Sequence, residues 1–348
     1  MDEHRAERTA KRASAWRGRL LALLLSLTVG GIVCEVVVRS LYGVPLPEHW
    51  PLGMVQANPL RGWQMTPGDE HFTYQHPVRV NGLGLRGAEL PMERDPQEMR
   101  VLTLGDSMLY GQGVAEVDTL PVRLEDLLGV DDPARRTWRV VNGGHRAYST
   151  HQELALLEEL GARVDPDAVV LLWYSNDFDE YDIEQVYREL LESGPRPFDV
   201  GLAEDGPNSW KWRIRQLARS SAAAMVLHDL VRDHQKPPRD PSYFDEGFDR
   251  LNTYLAQYAE CCAVLGARPL LAVVPHSSTL MADNGESRRA GRVEDLARAH
   301  GVTVVELLPV LRQLYIDSGE LPVIPYDGHY TGLANEHMAR PLAAALVR

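Results

Sequence analysis

Apolar residues in this 348-residue chain follow two patterns. One is a single long run near the amino terminus. The other begins at Arg100, where short apolar runs alternate with segments of helical period. The short runs cover 100–105, 138–142, 168–174, 269–274 and 302–306. Each is rich in Val and Leu, as strands buried on both faces of a parallel sheet must be. Between them, Thr150-His-Gln-Glu153 reads as a capping box that opens a helix through Leu154, Leu157 and Leu160. Phe248, Leu251, Leu255, Tyr258 and Cys262 recur at spacings of three and four, with Gly266 as the stop. Five strands alternating with helices predict a three-layer α/β/α domain. Ligands in such sheets sit beyond the carboxyl ends of the strands.

The long run, Leu20 to Val38, carries Glu35 as its single charge and is close to the ~20 residues that span a bilayer as a helix. Arg5, Arg8, Lys11, Arg12, Arg17 and Arg19 precede it, against Asp2, Glu3 and Glu7, whereas the far flank carries little beyond Arg39. Positive charge on that side places residues 1–19 in the cytoplasm and the remainder outside. The competing reading is a cleaved signal peptide, but no small-x-small cleavage site follows the run. Ile32 and Val33 precede Cys34, which disfavours lipoprotein processing at that cysteine.

Residues 43–98 are rich in Pro and Gly and read as a juxtamembrane stalk leading into a small irregular or β-rich cover. Gly82-Leu-Gly-Leu-Arg-Gly87 matches a dinucleotide fingerprint by letter. Pro91 interrupts the helix that fingerprint requires, and the position some twenty residues on, where it needs an acidic residue, falls among Gly105-Asp106-Ser107, so a turn-rich loop is expected. Residues 180–245 are far longer than one crossover needs. They are expected to form an inserted helical lid, with Trp210 and Trp212 either facing the site or packing inward. The organisation is thus a basic tail at 1–19, an anchor at 20–42, a stalk and cover at 43–98, and the main domain at 99–348.

The net charge of −13 argues against nucleic acid as a partner. Three cysteines, two of them adjacent, give neither a disulfide framework nor a zinc spacing. The histidines show no paired metal-ligand pattern, so no metal or cofactor is expected.

The chemistry centres on Gly105-Asp106-Ser107. A serine at the point where a buried strand stops is held rigidly with its hydroxyl free, as a nucleophile requires. Leu109 rules out the G-x-S-x-G elbow. A base is needed, and His329 in Tyr326-Asp-Gly-His-Tyr-Thr-Gly332 suits that role, with Asp327 to fix its tautomer. His337 is the rival histidine.

Two further segments, Val140-Val-Asn-Gly-Gly-His-Arg-Ala-Tyr-Ser149 and Val169-Val-Leu-Leu-Trp-Tyr-Ser-Asn-Asp177, complete a set of four. Together they resemble the four blocks of the SGNH (GDSL-type) hydrolases, from about Val78 to the end of the chain. Val78-Arg-Val-Asn-Gly-Leu-Gly-Leu-Arg-Gly87 also resembles the lead-in of bacterial, membrane-anchored members. The resemblance implies a flavodoxin-like α/β/α fold and a serine esterase without cofactor. It implies an oxyanion hole made by the Ser107 and Ala147 backbone N–H groups and the Asn176 amide, with Asp106, Gly144, His145 and Tyr174 as further substrate contacts. Two departures stand out. Alanine occupies position 147, where the family has glycine. Asp327 precedes His329 by two residues, where many members place the acid three before, at the position of Tyr326 here. The expected substrate is a carboxylic ester, acetyl or short acyl, on a small molecule or a surface glycan. O-acetyl transfer by the same site, or a non-catalytic glycan- or partner-binding module, are the alternatives.

Overall fold

The computed structural model describes residues 2–91, 93–198, 207–235 and 240–348. Parts of the expected lid, 199–206 and 236–239, lie outside the described residues. The chain divides into two compact units. One comprises residues 1–46 and 214–237, the other 47–213 and 238–348.

The larger unit is built on the predicted sheet. Its strands are β5 (Glu98–Gly105), β6 (Thr137–Gly144), β7 (Ala168–Trp173), β9 (Arg268–Val273) and β10 (Thr303–Glu306), all parallel, in spatial order β10-β9-β7-β5-β6. Counted within the sheet this is the 2-1-3-4-5 order of flavodoxin-like folds, with a switch point at the first strand. Side chains alternate across the strands, and this decides the layers. Leu102, Leu104, Val169, Leu171 and Trp173 face α3 (Thr150–Val164), α7 (Pro241–Leu265) and α8 (Gly285–Ala299). Val101, Val170, Leu172 and Leu270 face α2 (Leu120–Asp131), α9 (Leu308–Ser318) and α10 (Gly332–Leu346). Gly266 ends α7 in the left-handed conformation, φ 70°, as its position predicts.

One local reading is corrected. The cap of α3 is Ser149, not Thr150, and Gln152 accepts from the Ser149 N–H at 3.3 Å. Glu153 is therefore free of capping duty, and its side chain is buried.

Residues 54–79 form the cover. Strands β1 (Met54–Asn58) and β2 (Gly62–Met65) pair antiparallel, and β3 (Glu70–Thr73) forms a hairpin with β4 (His76–Arg79). Helix α4 (Ile183–Ser193) packs on β1 and β2, and β8 (Arg196–Pro197) adds to the edge of β1. Helix α5 (Trp210–Arg219) begins with Trp212 buried against Leu52 and edge-on to Trp50, with ring centroids 5.7 Å apart. Trp212 thus packs inward, whereas Trp210 is exposed.

The smaller unit holds α1 (Asp2–Tyr42), the end of α5 and α6 (Ala222–Gln235). Within α1, residues Trp16–Tyr42 are long and apolar enough to cross a membrane.

Candidate active site

Strands β5 and β6 end in register, Gly105 opposite Gly144, and β7 stops one residue past Leu172, which pairs with Gly105. The chain leaves all three at one edge of the sheet. Past β5, a single helical turn from Ser107 to Tyr110 starts with Asp106 as its N-cap, accepting from the Met108 N–H at 2.7 Å. This fixes Ser107 at the first helical position. The approach of that turn to β6 explains Gly144. A Cβ there would lie 2.2 Å from the Tyr110 nitrogen. Gly144 is a packing glycine rather than a substrate contact.

His329 Nε2 lies 2.8 Å from Ser107 Oγ, although 222 positions separate them. Its Nδ1 is hydrogen-bonded to Asp327 Oδ1, and its backbone N–H donates to the same oxygen at 3.2 Å. The short acid–histidine spacing works because the chain folds back on itself. Tyr326 and Gly328 both take positive φ, 62° and 89°. The loop is closed by Ile324 and His329, whose backbones bond at 2.7 Å. His337, half-buried on α10, takes no part in these hydrogen bonds.

Burial by itself would push the Asp327 carboxyl up. Hydrogen bonding and charge from His329, a hydrogen bond from Tyr74 and the His329 N–H outweigh it and hold the group at about 2. Sequence reasoning missed these outer partners. The Tyr74 hydroxyl donates to Asp327 Oδ2 from the β3–β4 turn of the cover. Gln112 Nε2 donates to the same oxygen at 3.2 Å, and Gln112 Oε1 accepts from Arg146 Nε at 3.0 Å. The Arg146 guanidinium lies over the Phe198 ring at 4.7 Å. No spacing rule flags Tyr74, because its link to the site is purely tertiary.

Asn176 follows β7 and donates through Nδ2 to Asp106 Oδ2 at 2.9 Å. Asp106 is buried, and burial pushes its carboxyl up against the pull of the Asn176 and Met108 hydrogen bonds. It positions Asn176 from below and is not open to substrate. Ala147 adopts φ 59°, the left-handed conformation expected of a glycine. The loop keeps its shape, and alanine carries a cost of about 1–2 kcal/mol for it.

His145 is buried and stacked on Tyr148 with centroids 4.4 Å apart. Burial, with the nearby Arg61 charge, lowers it to about 3. It is therefore a neutral core side chain rather than a substrate contact. The Tyr174 ring stacks on His276 at 6.3 Å. A cleft of about 220 Å³ opens at the carboxyl ends of β7, β9 and β10, lined by Ser175, His276, Glu286 and Pro309 among others.

Behind the site, Glu153 and Asp177 are buried. Burial raises both carboxyls well above the ordinary range, and the neighbouring Asp106 charge adds to it. Neither Glu153 oxygen has a hydrogen-bond partner among the described residues. Among the described residues, no cluster of three or more His, Cys, Asp or Glu is arranged to hold a metal ion.

No protein-family model and no curated protein sequence matches the chain. Solved structures do. The acetyl xylan esterase AlAXEase is 12% identical over 71% of this chain and 100% of its own, with a TM-score of 0.44. A member of the lipolytic G-D-S-L family from Veillonella parvula is 13% identical over 72% and 99%, with a TM-score of 0.41. The psychrotrophic esterase EstA from Pseudoalteromonas sp. is 11% identical over 71% and 96%, with a TM-score of 0.41. Likeness at this level carries no argument about chemistry, which rests on the chain's own residues.

Proposed function

We propose that the protein is a serine esterase of the SGNH type, tethered to a membrane by α1 with its larger unit on the extracytoplasmic side. The observation that carries this reading is the aligned set Ser107 Oγ, His329 Nε2 at 2.8 Å and Asp327 on Nδ1. His329 takes the Ser107 proton as Oγ attacks the ester carbonyl carbon. The carbonyl π pair moves onto oxygen, and the developing charge is received by the Ser107 and Ala147 N–H groups and the second Asn176 N–H. Collapse expels the alkoxide, which takes the proton from the His329 imidazolium. Water then repeats the sequence on the acyl-enzyme, with His329 as base, and releases the acid. Asp327, held ionised, stabilises the imidazolium in both halves.

The favoured substrates are acetyl or short acyl esters on a small molecule or a surface glycan. Extracytoplasmic placement and the family resemblance of the four blocks support this class. The test is labelling of the full chain with a fluorophosphonate, followed by hydrolysis of a short acyl ester. Label on the native chain and on Ser149→Ala, with none on Ser107→Ala, is the expected result. A native chain that takes no label and releases no acid is a binding module rather than an enzyme. Acyl appearing on an added glycan acceptor, rather than in water, identifies a transferase.

A further inference from the structure

Glu35 is the one charge in the apolar run, and a lone carboxylate there is costly unless it is paired. The smaller unit shows what it pairs with. Glu35 accepts from the backbone N–H groups of Ala222 at 2.8 Å and Ala223 at 3.1 Å, and from the Ser221 hydroxyl at 2.8 Å. Arg39 donates to Glu35 at 2.7 Å and to the Ser220 carbonyl at 2.7 Å. The Glu35 carboxylate therefore caps helix α6, satisfying amide donors that hydrocarbon would leave bare. Ala222 is fully buried, so small side chains let the two backbones approach.

Glu35 lies three residues before Val38, about 5 Å of helix rise from the outer end of the apolar run. The cap is thus at the level of the outer leaflet. From it, α6 presents Leu227, Leu230 and Val231 at spacings of three and four, all exposed. The end of α5 presents Ile214 and Leu217, the latter 72% exposed. Helix α5 carries four basic and no acidic side chains in its sequence WKWRIRQLAR. Apolar residues on one face, with cationic residues on the same short helix, suit the boundary of an anionic bilayer.

We infer that residues 214–235 are a second membrane-embedded element, docked on a retained anchor through Glu35 and lying in the outer leaflet of an anionic phospholipid bilayer. This rests on reading Leu20–Val38 as the anchor. Removal of that segment as a signal peptide would strip α6 of its cap. The occupant of the exposed face is lipid, because the face continues from a helix that itself lies in lipid.

The test uses the full chain in vesicles of phosphatidylcholine and phosphatidylglycerol. The photo-crosslinker p-benzoylphenylalanine is placed in turn at positions 217, 227 and 230. Position 25 in the span is the lipid reference, and position 264, exposed on α7, is the solvent reference. Lipid adducts at 217 and 227 should come within about threefold of position 25 and exceed position 264 by about tenfold or more. Glu35→Ala should cut the 227 adduct several-fold while leaving position 25 unchanged, and Glu35→Gln, which keeps an acceptor oxygen, should cut it less. If position 25 is labelled and 227 behaves like 264, the docked element is overturned and the anchor stands. If position 25 is also unlabelled, or the chain is recovered without residues 1–42, anchor and inference fall together.

Discussion

The Tyr74 hydroxyl donates to Asp327 Oδ2, joining the cover hairpin to the acid of the site across 253 positions of sequence. On the proposed function, the cover is therefore part of the catalytic geometry, and Tyr74 is a positioning residue that acts through Asp327. A hydrogen bond to a charged group contributes about 1.5–3 kcal/mol. Tyr74→Phe should lower kcat of ester hydrolysis by about tenfold with KM little changed. It should also let the Asp327 carboxyl rise from about 2, read directly in the carbon-13 titration of that carboxyl. A variant with wild-type kcat and an unshifted Asp327 titration would remove Tyr74 from the site.

Asn176 and Asp106 separate two roles that share one hydrogen bond. Asn176→Ala removes the proposed oxyanion donor and should cost about 10²–10³ in kcat; it also leaves the buried Asp106 carboxylate without its amide donor, at about 1–3 kcal/mol of stability. Asp106→Ala leaves that amide in place but unanchored, and it also removes the cap of the Ser107 turn. It should show a smaller kcat loss and a stability loss of about 1 kcal/mol or more. Denaturant melts and steady-state kinetics on the two variants check the split. Equal kcat losses would mean that Asp106 does more than hold its neighbour.

Ala147 sits at φ 59°. Alanine tolerates that conformation at modest cost, whereas a β-branched residue does not. Ala147→Gly should keep full activity. Ala147→Val should lose about 2 kcal/mol of stability, and its kcat should fall because the backbone donor moves. A Val variant with native Tm and kcat would show that the loop is not held in this conformation.

Glu153 has no hydrogen-bond partner among the described residues, and burial raises its carboxyl well above the ordinary range. In the folded chain it therefore binds a proton more tightly than in the unfolded chain. That contribution to stability is fully present below the unfolded value of about 4.3. It is lost as pH rises through the folded value, because the unfolded state then binds fewer protons. Glu153→Gln keeps the shape without an ionisable group. Its melting temperature should match wild type near pH 4 and exceed it at pH 8. Parallel pH–Tm curves for the two proteins would show that Glu153 does not titrate in this way.

How far the sequence reaches is clear from individual residues. The five strands were legible because Val and Leu runs of strand length have few other uses, and the observed strands begin and end within about two residues of them. Ser107 and Asn176 were legible because each directly follows such a run, so chain order alone puts them past a strand end. His329 was legible by its motif, although nothing local brings it to Ser107. That needs α10 and the loop before it to pack across the sheet.

What the sequence determined was therefore the sheet, the residues at its carboxyl edge and an apolar segment of bilayer length. Only the tertiary structure decided that Tyr74 completes the acid, that Asp106 serves Asn176 rather than substrate, that His145 is core, and that Glu35 caps a distant helix. The reason is physical. Burial patterns are written in local periodicity, which the chain carries residue by residue. A hydrogen bond between side chains far apart in sequence depends on where whole elements pack, and no local pattern encodes that.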